Sequence, residues 1–74
     1  MPEQEISERE HEKMIEIAKT KSIDEIKQDI ADWLRDVEYE LLRNNLDEVE
    51  LKLKMADRHL RALRYKMGSK ALFG

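Results

Sequence analysis

Between Glu3 and Met67 this chain contains neither glycine nor proline, so no residue type in that stretch forces the backbone out of a helix. The one soft spot in its second half is the pair Asn44-Asn45. On either side of that pair, apolar residues recur at three- and four-residue steps, which is the period of one face of a helix. An all-α fold follows. The two striped segments, Ser22–Arg43 and Leu46–Met67, are nearly equal in length and predict an antiparallel helical hairpin with a short N-terminal helix packed on it. The alternative is one rod of about 45 residues, because Tyr39, Leu42 and Leu46 join the later seam without a phase break.

The expected helices cover about 7–20, 22–43 and 46–67. Residues 1–6 read as a flexible tail and residues 68–74 as a C-terminal tail. Ser7 with Glu10, Ser22 with Glu25, and Asn45 with Glu48 each have the spacing of a capping box, in which two side chains satisfy orphan amides at a helix start. Gly68 has the residue type that closes a helix in the left-handed conformation.

In the second helix Ile23, Ile26, Ile30, Trp33, Leu34, Val37 and Leu41 share one sector, with Glu25, Asp29, Asp32 and Asp36 opposite. In the third, Leu46, Val49, Leu53, Ala56, Leu60, Leu63 and Met67 alternate in threes and fours, the seam of a coiled coil or bundle. A second set, Leu51, Met55 and Ala62 with Tyr65 nearby, lies on roughly the far side. A helix with two apolar faces must touch two neighbours. The second helix is expected to cover one face, and the short first helix or a second copy of the chain the other.

Charge supports folding back. Residues 1–50 carry 7 basic and 16 acidic residues, and residues 51–74 carry 7 basic and one acidic. Reversal at Asn44-Asn45 sets Arg58, Arg61, Arg64 and Lys66 beside the acidic first half of the second helix. Asp47, Glu48 and Glu50 then come near Arg43 and Arg35. A parallel arrangement sets like charges together.

At this size a chain buries only roughly 60% of its unfolded surface, so stability leans on staples or partners. Cysteine is absent, which excludes disulfides and thiolate metal sites. No apolar run reaches the roughly 18 residues of a membrane span, and the acidic opening Met-Pro-Glu-Gln-Glu is unlike a signal peptide. A cytoplasmic location without membrane contact is the expectation.

Candidate chemistry is thin. Asp29-x-x-Asp32 has the helical spacing by which two carboxylates share Mg²⁺, a feature in which it resembles the all-α nucleotide pyrophosphohydrolases. The same acids also suit a solvated face beside a basic helix. Glu8-x-x-His11 is one half of a di-iron motif that needs two copies and further glutamates. The ending Leu72-Phe73 is similar to sliding-clamp-binding peptides, without their opening glutamine. No glycine-rich loop or nucleophile–base order appears, so neither enzymatic activity nor a cofactor or metal is expected.

The expected function is therefore a non-catalytic protein–protein interaction module, a regulator, inhibitor or adaptor that also forms a homodimer. Small helical phage accessory proteins resemble this layout. Trp33, Leu51, Met55 and Tyr65 are the expected partner-binding residues. The alternative is nucleic-acid binding through Lys54, Arg58 and Arg61, on an architecture that resembles small dimeric RNA-binding hairpins.

Overall fold

A computed structural model describes the backbone of residues 2–73 and the side chains of residues 9–68. Three helices account for almost all of it: α1 (Pro2–Thr20), α2 (Ile23–Leu42) and α3 (Leu46–Phe73). No strand occurs among the described residues. No helix of these is long and apolar enough to cross a membrane.

Two of the three expected helix starts are built differently. Helix α1 opens at Pro2 rather than near Ser7, so the backbone expected as a tail is helical and Ser7 lies inside the helix. Proline suits a first turn, where its missing amide has no partner to lose. Glu10 does not cap; its carboxylate accepts two hydrogen bonds from Arg58 of α3, at 2.9 and 3.0 Å. A bidentate ion pair outweighs a single neutral amide contact. At the start of α3, Asn45 turns its side-chain amide toward Glu40 at 3.4 Å instead of capping. The capping box of α2 does form: Ser22 Oγ accepts from the Glu25 amide at 3.1 Å, and Glu25 accepts from the Ser22 amide at 2.9 Å.

Helix α2 ends in a Schellman turn. Asn44 takes a φ of 61°, the left-handed region that asparagine tolerates better than most side chains. The Asn45 amide donates to the Glu40 carbonyl at 2.9 Å, and the Asn44 amide to the Leu41 carbonyl at 3.0 Å. The chain reverses there. Lys52 of α3 then meets Glu40 close to the turn, while His59 meets Asp29 farther from it, so the two helices run in opposite senses.

Gly68 does not end α3, which continues to Phe73, and its φ is not positive. A helix-interior glycine costs only about 1 kcal/mol, too little to stop a helix with no other breaker beside it.

Helix α1 lies along a different flank of α3. The Glu10–Arg58 pair holds one point, and Lys66 donates to the Ala18 carbonyl at 2.7 Å near the end of α1. The cation there also complements the negative end of the α1 dipole. What these helices bury is small: Ala18, Ile26, Ala56 and Ala62 are the buried apolar residues among those described, and Ile26 is the one large side chain fully enclosed. The radius of gyration is 13.9 Å, against about 11 Å for a compact chain of this length. The 28-residue α3 draws the molecule out, and little apolar core is enclosed among the described residues.

Asn44→Val is expected to lower stability by about 1–2 kcal/mol, because a β-branched residue is forced into the left-handed region. Asn44→Gly should leave it nearly unchanged. Urea unfolding at one protein concentration measures both, and equal stability of the two variants would contradict the turn.

Candidate interaction surface

Successive residues turn about 100° around a helix, so the tied residues fix how α2 and α3 face each other. On α3, Lys52 and His59 occupy the sector that meets Glu40 and Asp29 of α2. Asp36 lies on the same polar side and adds to the field at Lys52. On the opposite side of the pair, α3 presents Leu46, Leu53, Leu60 and Met67, each seven residues from the next. On α2, Leu34 and Leu41 lie on the flank away from Asp29, Asp36 and Glu40. These six side chains are between 36% and 64% exposed. Half-buried Ile30, Val37, Val49 and Leu63 border them toward the helix contact.

The seam of α3 is one of the two apolar faces expected to need a neighbour. It is covered only along one edge. The polar ties explain this: they pull the Lys52–His59 sector of α3 onto α2, and the seam rotates outward by roughly a quarter turn.

Glu40 is the centre of the polar side and is buried. Its carboxylate accepts from Lys52 at 3.2 Å and from the Asn45 amide at 3.4 Å. The Lys52 hydrogen bond holds the Glu40 carboxyl below the usual glutamate range, and the same bond raises the Lys52 ammonium. Farther along, Lys21 is paired with Asp29, whose carboxylate lies 3.7 Å from His59 Nε2. His59 Nδ1 is 2.8 Å from the Met55 carbonyl oxygen, so that nitrogen carries the donated proton. The Trp33 ring is tilted 50° to His59 with centroids 6.3 Å apart.

The expected partner-binding residues do not form one patch. Trp33 is half-buried on the polar side. Met55 is half-buried in a groove it shares with Ile17 of α1, with Arg58 Nη1 3.5 Å from its sulfur. Leu51 and Tyr65 stand 52% and 55% exposed on the outward side of α3.

Of the basic residues, Arg58 is clasped by Glu10, whose carboxyl is held low mainly by that hydrogen bond. Arg61 pairs with Asp57 one turn away at 2.9 Å. Lys54 stays exposed, beside both arginines in an open groove along α1. The pairing expected between the basic half of α3 and the first half of α2 is thus replaced by ties to α1 and within α3. Lys21 takes the α2 carboxylate at Asp29. Arg43, expected near Asp47 to Glu50, instead donates to the Tyr39 hydroxyl at 2.9 Å and lies over that ring.

Asp29 and Asp32 do not act as a pair: Asp32 accepts from Gln28 at 3.0 Å and lies 3.7 Å from Arg35. Among the described residues no three His, Cys, Asp or Glu side chains gather as metal ligands. The side chains of Glu8, Leu72 and Phe73 lie outside the described residues.

Comparison with protein-family models, with curated proteins and with solved structures finds no match to this chain.

The Glu40–Lys52 tie sets a pH dependence. A lowered carboxyl contributes stability above its unfolded value of about 4.3, and this is lost as pH falls through the folded value. The raised ammonium contributes below its own unfolded value and loses that as pH rises through the folded one. Thermal unfolding followed from neutral pH to pH about 3 should therefore show an acid decline that is shallower in Glu40→Gln. Identical acid limbs in the two proteins would contradict the tie.

Proposed function

We propose that this chain is a non-catalytic protein-interaction module: an antiparallel helical hairpin, braced by α1, that works by packing its open apolar seam against protein, a second copy of itself included. The observation that carries this reading is the row Leu46, Leu53, Leu60 and Met67, joined by Leu34 and Leu41 and left exposed on one side. Monomeric proteins rarely leave so many large apolar side chains contiguous and bare. The repeat of seven is the period by which one helix receives another.

The ionisable groups that approach one another support the same reading, because they tie helices together. Glu40 with Lys52, Glu10 with Arg58, and Lys21 with Asp29 each link separate segments. Two of the three basic residues of the nucleic-acid alternative are held by carboxylates, which weakens their pull on phosphate.

Leu53→Lys with Leu60→Lys should abolish association with protein while the circular dichroism of the helices is retained. Lys54→Glu should leave association intact, and raising the salt should weaken it only modestly. Association that disappears steeply with salt, and with the Lys54 change, would instead assign the chain to nucleic acid.

A further inference from the structure

We infer that the open face of α2 and α3 is the seat of a second copy of this chain, laid across it antiparallel about a two-fold axis, with Leu53 against Leu60 and Leu46 against Met67 of the other copy. This rests on the reading of the seam as a protein-binding face and names its occupant.

The spacing is the first argument. The row at 46, 53, 60 and 67 is symmetric about its own midpoint, between Ala56 and Asp57. Reversing the helix therefore superposes the row on itself, as a self-complementary contact requires. Leu34 and Leu41 on α2 are likewise seven apart and exchange under the same reversal. In the pairing set by Glu40–Lys52 and Trp33–His59, their midpoint is level with α3 within about one helical turn of the α3 midpoint. One axis serves both helices.

Charge is the second argument, and it is independent of the first. The rim beside the α3 row carries Glu50 toward its start and Arg61 and Arg64 toward its end. Antiparallel reversal places Glu50 between Arg61 and Arg64 of the second copy. Parallel alignment sets acid on acid and base on base. Near the axis stands Asp57, already neutralised by Arg61 at 2.9 Å. A surface for an unrelated helix has no need to be reversible in both spacing and charge. A surface for its own copy must be.

The full chain tests this directly, since it contains no cysteine. Mixed and mildly oxidised, Leu53→Cys and Leu60→Cys variants should give the mixed disulfide, while each alone gives little. In the proposed register two Leu53 positions lie about 10 Å apart along the axis, beyond disulfide reach. Glu50→Lys should weaken self-association roughly tenfold through like charges at two symmetric sites, and Arg64→Glu in the same chain should restore it. Efficient self-disulfides from Leu53→Cys alone would mean a parallel pair and overturn the proposal. A chain that stays monomeric, yet loses another protein on Leu53→Lys with Leu60→Lys, would overturn the second copy and leave the seam as a binding face. A monomer indifferent to those two changes would remove the binding face as well.

Discussion

The fold depends on the reversal at Asn44 and on the carboxylate of Glu40 behind it. The left-handed residue sends α3 back along α2. Glu40 then anchors the junction in two ways: its carbonyl takes the Asn45 amide, and its side chain takes Lys52 and the Asn45 side chain. Together these fix the direction of α3 and also its rotation about its own axis. Once Lys52 and, two turns on, His59 must face the acidic flank of α2, the leucines at 53 and 60 have to face elsewhere. The open seam is a consequence of where the charges sit.

Helix α1 cannot close that seam, because its own ties lie on other flanks of α3, at Arg58 and Lys66. Among the described residues, the buried apolar side chains are three alanines and one isoleucine. Alanine at a contact permits close approach but removes little apolar area from water, and the transfer of apolar surface is the main favourable term in folding. The exposed ion pairs add at most modestly. A chain organised this way holds its helices in register by polar clasps and leaves several large hydrophobic side chains exposed.

Much of the local structure was legible from sequence. Periodicity gave three helices and no strand, Ser22 with Glu25 gave the start of α2, and the two asparagines gave the break. Those signals are local, and each rests on one or two side chains acting on nearby backbone. The features that could not be read are those in which a local preference competes with a distant partner. Glu10 left its cap for Arg58, Asn45 left its cap for Glu40, and Gly68 was carried through by the helix around it. The same holds for the surface. A helical wheel shows that α3 has two apolar flanks but not which of them α2 will meet. The Lys52–Glu40 and His59–Asp29 contacts set α2 between the two, over one edge of the longer stripe. Trp33 stood out by residue type, yet its place beside His59 depends on that rotation.

A second copy seated on the uncovered row of α2 and α3, the proposed occupant, would double the mass in solution. Sedimentation equilibrium over a wide range of concentration measures this most directly. The expected mass is twice that of the 8.9 kDa chain, falling to the single-chain value only on dilution. A mass of 8.9 kDa at every concentration would contradict it.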